Sequence, residues 1–297
     1  MTYVATIELE TDDDFVTVSA TDGQFGGEGI ELDRSPKGVY STAFTTRTVS
    51  GAFQIGGRPA GHEFPIRKIT TTYHLYDMGQ GIEATISRFR KLWRLDRGVT
   101  WRYTTAISGL RWLTLHLASE IDFSPEKDWN LDGYAKAVVQ ALAYEPMYES
   151  AADQQSWSNP SAGTNTGWLS CWNPTDQKLF LEWSLDPATE WQFADFSFGQ
   201  EKKYRRTVGE DADRMIITPA LTQRLSVMAD PVMDTYIMAD GSNGAGLFNG
   251  VEPLYWVPPY TGTETDPVML PVICNGAKDA TVTLTMRRLW SAEAGIE

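Results

Sequence analysis

Short runs of alternating apolar and polar positions fill most of the chain. Residues 3–10 (YVATIELE) and 15–19 (FVTVS) alternate on either side of an acidic turn, Asp12 to Asp14, and predict an opening β-hairpin. Further strands are expected at 44–55, 66–76, 99–105, 110–118 and 134–144, where Thr, Tyr, Trp and β-branched residues lie between Gly, Pro or Asp punctuation. One segment has a helical period instead. In GIEATISRFRKLW, from Gly81 to Trp93, the residues Ile82, Ile86, Phe89 and Trp93 fall within about 60° of one another at roughly 100° per residue. The first half therefore reads as a mostly antiparallel sheet system carrying one helix, 81–95.

After Glu149 the pattern weakens. The stretch SAADQQSWSNPSAGTNT is small and polar, which predicts a linker over 151–166 between a first domain, 1–150, and a second, 167–297. Alternation resumes with Leu179, Leu181, Trp183 and Leu185, and again with Val282, Leu284 and Met286 between threonines. Asn275-Gly276 between strands 268–274 and 280–290 predicts a closing hairpin, and the second half reads as a β-sandwich. The fold class is mainly β, with two domains.

Composition narrows the function. Mean hydropathy is −0.31 and no apolar run reaches the roughly 18–20 residues of a membrane helix, so no membrane insertion is expected. The opening MTYVATIELETDDD lacks the form of a Sec signal peptide, and synthesis in a cytoplasm is expected. The net charge of −14 disfavours a nucleic-acid partner, because phosphate binding needs a concentrated positive footprint. Cys171 and Cys274 have neither metal-ligand spacing nor a nearby histidine, and two buried thiols are the expected state.

Catalytic motifs are absent: no G-x-S-x-G elbow, H-E-x-x-H, Walker A or dinucleotide fingerprint occurs. Of the three histidines, His74 and His116 sit within strand patterns and His62-Glu63 lacks a second histidine at i+4. A glycosidase would need two carboxylates flanking a cleft, for which Glu182 and Asp195 are the best candidates, although outward-facing strand carboxylates are the ordinary expectation. The turn chemistry of Asp240-Gly-Ser-Asn-Gly and Gly209-Glu-Asp-Ala-Asp accounts for both without a metal. No enzyme activity, cofactor or metal is expected.

Two surfaces stand out. Arg88, Lys91 and Arg94 lie opposite the apolar stripe of the helix, as either a solvated face or a contact with an acidic subunit or partner. The segment PLYWVPPYTG, Pro253–Gly262, holds Tyr255, Trp256 and Tyr260 around two prolines that cannot donate ladder hydrogen bonds. Packing on a neighbouring strand is the first reading of that segment, glycan stacking by these three aromatics the second, and service as a polyproline ligand the third.

The order of these elements also carries a resemblance. A hairpin, then GGRPAGHEFPIRKITTTYHL running into a single helix, then VTWRYTT, resembles the ring-forming domain of distal tail proteins of long-tailed phages. NPTDQKLFLEWSLD and YWVPPYTGTETDPVMLPVICNGAKDATVTLTMRRLW look like the C-terminal galectin-like sandwich of minor tail proteins from phages of actinobacteria. The resemblance implies a non-enzymatic virion protein assembled in the host cytoplasm: a hexameric ring at the tail tip. Its implied partners are further copies of the chain, the major tail tube protein, the tape measure protein and other minor tail proteins, with a host cell-wall glycan as a possible ligand. The polar set through which galectins bind sugar cannot be placed in this sequence.

Overall fold

The computed structural model describes residues 5–20, 27–34, 36–123, 125 and 127–297, so residues 3 and 4 of the expected first strand lie outside it. The chain forms two compact units, Met1–Ser150 with Trp290–Glu297 and Ala151–Leu289. Unit 2 is thus inserted into unit 1, whose last residues come from the C-terminus.

Unit 1 is built from β1 (Thr6–Glu10), β2 (Phe15–Ser19), β3 (Ile30–Leu32), β4 (Thr45–Val49), β5 (Arg58–Glu63), β6 (Arg67–Tyr76), α1 (Ile82–Leu92), β7 (Val99–Thr105), β8 (Gly109–Leu117), β9 (Asp122–Phe123), α2 (Trp129–Asp132), β10 (Tyr134–Ala143) and the start of β11 (Tyr148–Ser158). Antiparallel pairing runs β2–β1–β7–β8–β10–β6–β3, with β9 on β10. Most of the predicted strands are here within a residue or two. The helix is here too, shorter than expected, and a second helix of one turn, α2, accompanies it.

Helix α1 starts where Asp77 accepts hydrogen bonds from the amides of Gly79 and Gly81, both 2.8 Å, with Gly81 at φ 84°. That positive φ is open to glycine and strained for other residues. Ile82, Ile86, Phe89 and Leu92 are buried, and the Phe89 ring meets Tyr73 of β6 at 5.0 Å between centroids. The apolar stripe therefore does what its period predicts: it docks the helix on the sheet.

Unit 1 is closed by the C-terminal segment. Trp290 is buried and its indole N–H donates to Ser150 Oγ at 3.0 Å. Arg111, with no exposed surface, lies 3.9 Å over the Trp290 ring and donates to the carbonyls of Ala292 (2.8 Å) and Gly295 (3.0 Å) and to Glu297 Oε1 (2.6 Å). The Ser291 carbonyl accepts from Thr42 N–H, Thr42 Oγ1 and Arg67 Nη2 at 2.9, 2.7 and 3.1 Å.

Unit 2 contains the rest of β11 and then β12 (Gly163–Cys171), β13 (Leu181–Leu185), β14 (Glu190–Ala194), β15 (Met215–Ile217), β16 (Leu225–Met228), β17 (Tyr236–Met238), a 3-10 turn at Ala245–Leu247, β18 (Val268–Gly276) and β19 (Thr281–Trp290). One sheet runs β17–β16–β13–β19–β11 and the other β12–β18–β14–β15. Trp183, Leu284 and Met286 of the first sheet and Leu270, Val272, Phe193 and Trp191 of the second share one core.

Two expectations change here. Residues 151–166, read as a linker, are largely strand: β11 lies beside β19, and Ser156–Thr283 (2.9 Å) and Ser158–Thr281 (2.8 Å) join their side chains. Small polar residues form a cross-strand ladder on an exposed face. Asn159 is fully buried and donates to the carbonyls of Gly163, Gly276 and Ala277, while Gly167 leaves room for the Trp157 ring, which an added Cβ would meet at 2.3 Å. The closing hairpin is not one either. β18 and β19 belong to different sheets, so the turn after Gly276 is an arch across the sandwich. Leu270, Val272 and Cys274 face Val282, Leu284 and Met286 through the core, a pattern that alternation alone does not separate from a hairpin.

Cys171 and Cys274 are buried free thiols, with pKa pushed up by burial to about 12 and about 11. Cys171 pairs with Val268, and Cys274 sits farther along β18 opposite Asn165. Six residues of strand separate the two by about 20 Å, well beyond the roughly 4–7 Å span of a disulfide.

Replacing Arg111 with Met keeps much of the buried volume but removes the donors to two carbonyls and Glu297. We expect a loss of about 2–4 kcal/mol, read as a lower urea midpoint, with residues 290–297 becoming open to proteolysis. An unchanged midpoint and a resistant segment would show that residues 290–297 are not held by Arg111.

Candidate functional site: assembly surfaces

The most exposed element of unit 1 is the ribbon β4–β5. Every residue from Ala43 to Ile66 is exposed, and the ribbon forms a two-stranded sheet of its own. Its register, Thr45↔Glu63 and Thr46↔His62, places Arg47 on Glu63 at 2.8 Å, Thr46 Oγ1 on His62 Nδ1 at 3.2 Å and the Phe44 ring 5.3 Å from His62. Such contacts hold a ribbon's shape and stabilise it little, because an exposed ion pair contributes about 0–1 kcal/mol. At the tip, Phe53 and Ile55 are each 104% exposed between Gly51 and Gly56-Gly57. The sequence reading placed a strand at 44–55 but missed the arm. The available signal was six large apolar residues from Phe44 to Ile66 without the alternation of a half-buried strand.

The basic face of α1 is divided in its roles. Arg88 donates to both carboxylate oxygens of Asp14, at 2.8 Å each, and to Glu28 Oε2 at 2.9 Å. It ties α1 to the β1–β2 turn, so its charge is spent within the chain. The Arg88 hydrogen bonds hold the Asp14 carboxyl below its ordinary value, against the opposing effect of burial. Arg94 pairs with Asp96 and Arg97 with Asp13, while the Arg90 guanidinium lies 4.9 Å over Phe123. Lys91 is exposed and, among the described residues, has no ion-pair partner. Lys91 and Arg94 line a shallow cavity of about 420 Å³ with Glu83, Ser87, Arg90 and Trp129.

In unit 2, the three aromatics of the proline-bearing segment do not form one platform. Tyr255 is buried, with its hydroxyl on Asp211 and its ring 5.1 Å from Tyr204. Trp256 is half-buried beneath the ammonium groups of Lys203 and Lys178, 3.4 and 4.1 Å from its ring centre. Tyr260 is 58% exposed, with its amide on the Thr175 carbonyl. Packing, the first reading of this stretch, describes Tyr255. A larger apolar groove of about 580 Å³ lies on the β12–β18–β14–β15 sheet, where Trp168, Phe198 and Met269 are exposed. The sequence reading did not single it out.

The two candidate catalytic carboxylates are set apart, Glu182 on β13 of one sheet and Asp195 in the loop that follows β14 of the other. Asp195 accepts from the amides of Leu254 and Tyr255 and from Arg214, and burial raises its pKa against these contacts. Glu182, on β13, lies 3.9 Å from Arg287. His74 bonds Tyr134 at 2.7 Å and His116 packs on Tyr144. Among the described residues, no group of three or more His, Cys, Asp and Glu is arranged to hold a metal ion, and no helix is long and apolar enough to cross a membrane.

No family model matches the chain. The minor tail protein Gp27 of Mycobacterium phage L5 is 26% identical over 270 residues, covering 75% of this chain and 79% of that protein. Among solved structures, the SPP1 Dit protein, described as a paradigm of the hub adsorption apparatus in phages infecting Gram-positive bacteria, aligns with 96% of this chain and 99% of its own at a TM-score of 0.56 and 12% identity. That second likeness is one of fold. The resemblance to distal tail and minor tail proteins read from the sequence holds in both comparisons.

The Arg88–Asp14 contact has a pH signature. Asp14 titrates lower in the fold than in the unfolded chain, so its contribution is present above the unfolded value near 3.8 and is lost as pH falls through the lower folded value. Arg88→Ala should cost on the order of 1 kcal/mol at pH 7, since the pair is partly exposed. Urea titrations of both proteins should show that gap closing as pH falls below about 4. A gap independent of pH would mean that Arg88 acts through packing alone.

Proposed function

We propose that this protein is a structural component of a phage tail tip, in which copies of unit 1 join as a six-fold ring that links the tail tube to the host-recognition apparatus. The observation that carries the reading is the β4–β5 ribbon. An isolated two-stranded hairpin is at best marginally stable in water, and this one has two open edges and a tip carrying fully exposed Phe53 and Ile55. Burying those two side chains against a neighbouring subunit stabilises the assembly by about 3–6 kcal/mol per arm, and an open ribbon edge can extend a neighbour's sheet. The sequence relative, itself a minor tail protein, supports the same reading.

Lys91 is the part of the helix face left for an acidic partner, because Arg94 is already paired with Asp96. Arg88 serves the fold. The tail tube and tape measure proteins remain the partners this reading assigns above and within the ring, and the virion tail is its place. A non-enzymatic role accords with Asp195, whose oxygens are occupied by two amides and Arg214, and with its place in the loop after β14, apart from Glu182 on β13 of the other sheet.

The test is native mass spectrometry of the full chain with Phe53→Ser and Ile55→Ser combined. Wild type should give a hexamer. The variant should remain monomeric at the same concentration, with an unchanged melting temperature, because neither side chain packs within the subunit. A wild type that stays monomeric at all concentrations, or a variant that assembles equally well, would contradict the proposal.

A further inference from the structure

Unit 2 carries a cationic site that neither the fold nor the tail-tip reading requires. The bridge between Leu179 and Val257, with amide-to-carbonyl distances of 3.1 and 2.8 Å, brings Lys178 beside Trp256. The turn holding Lys203 is fastened to the same place, since Gln200 donates its side-chain amide to the Trp256 carbonyl and accepts the Lys203 N–H at 3.0 Å. Two ammonium groups thus share one indole, at 3.4 and 4.1 Å from its centre. Attraction of each cation to the ring quadrupole holds them there despite their mutual repulsion. Burial and the charge of Lys178 hold the Lys203 ammonium below its ordinary value.

Neither lysine has a carboxylate partner among the described residues, where the ion pairs are made by arginines and one histidine. In a chain of net charge −14, two neighbouring cations left unpaired are conspicuous. They open onto a cavity of about 390 Å³ walled by Phe180, Tyr204, Pro253 and Leu254. That volume suits a small ligand, and an apolar wall with a few convergent polar groups is the usual composition of such a site. Asp230 and Glu252 also line the cavity, which disfavours a polyanion and suits a ligand with one localised negative group.

We propose that this cavity binds a saccharide unit bearing a carboxylate or a phosphate, with Lys178 and Lys203 holding the anionic group and Phe180 meeting the apolar face of the ring, while Tyr204, whose hydroxyl accepts from Lys203 at 3.3 Å, helps to seat that ammonium. Trp256 seats the ammonium groups and does not itself stack on the sugar, because Lys203 already covers its face. The site lies wholly in unit 2 and does not depend on ring formation.

Ligand-observed NMR on the full chain tests this with glucuronate, glucose 6-phosphate, glucose and inorganic phosphate as probes. Glucuronate or glucose 6-phosphate should bind, and whichever binds more tightly identifies the anionic group. Glucose should bind at least tenfold more weakly. The double variant Lys178→Gln, Lys203→Gln should lose at least tenfold in affinity while keeping the wild-type melting temperature, since both side chains are exposed. Lys178→Gln alone should lose part of the affinity, which keeps the test valid if the double variant melts early. Failure of both anionic sugars to bind, equal binding of glucose, or full affinity in the variants would overturn the proposal. Binding of inorganic phosphate as tight as that of glucose 6-phosphate, with no binding of glucuronate, would overturn the saccharide assignment.

Discussion

The fold of unit 1 depends on a buried arginine holding residues 290–297. Arg111 has no exposed surface, yet it is neutralised by Glu297, stacked on Trp290 and hydrogen-bonded to two carbonyls beyond it. A charge in that position is costly unless every element of the contact is present. The consequence is topological. The chain must complete unit 2 and then supply residues 290–297 before unit 1 can close, so unit 2 is an insertion with both ends fixed in unit 1. A chain cut short near residue 150 would lack Trp290, Ala292, Gly295 and Glu297 around Arg111, and the Ser291 carbonyl that accepts from Arg67.

The exposed ribbon marks the opposite extreme within the same unit. The core around α1 is dense: Phe89, Trp101, Leu115 and Tyr73 are essentially inaccessible to solvent. By contrast, no residue of the ribbon is buried. Its apolar tip would be a liability in a monomer, since exposed apolar surface on an open-edged ribbon invites association. In an assembly the same features are an advantage: the arm reaches a neighbour without disturbing the core that carries it. Fold and association are thereby separated on one chain.

Alternation revealed most strands of unit 1 and β13, β18 and β19 of unit 2, and the helical period revealed α1, because each pattern reports directly on a buried face; the short strands β14 to β17 were not read. What alternation could not report was the neighbour across that face. It therefore gave a hairpin for 268–290, where the structure has an arch, and a linker for 151–166, where a Ser and Thr ladder covers an exposed sheet face. Charge was legible only as a pattern. Arg88, Lys91 and Arg94 share a helix face, but their different fates depend on Asp14, Glu28 and Asp96, and the first two reach Arg88 only through the fold, Asp14 from the β1–β2 turn and Glu28 from just before β3. The lysine pair on Trp256 was equally invisible, since residues 178, 203 and 256 meet through a long-range bridge and a turn.

The claim that the β4–β5 ribbon is the arm of an assembly is tested most directly by amide hydrogen exchange on the full chain as a function of protein concentration. At dilution, the amides of 45–49 and 58–63 should exchange nearly as fast as those of an unstructured peptide, while β6 and β10 stay protected. At concentrations where the assembly forms, the ribbon amides should become protected, with little change in unit 2. Ribbon exchange that stays fast in the assembled protein would contradict the account.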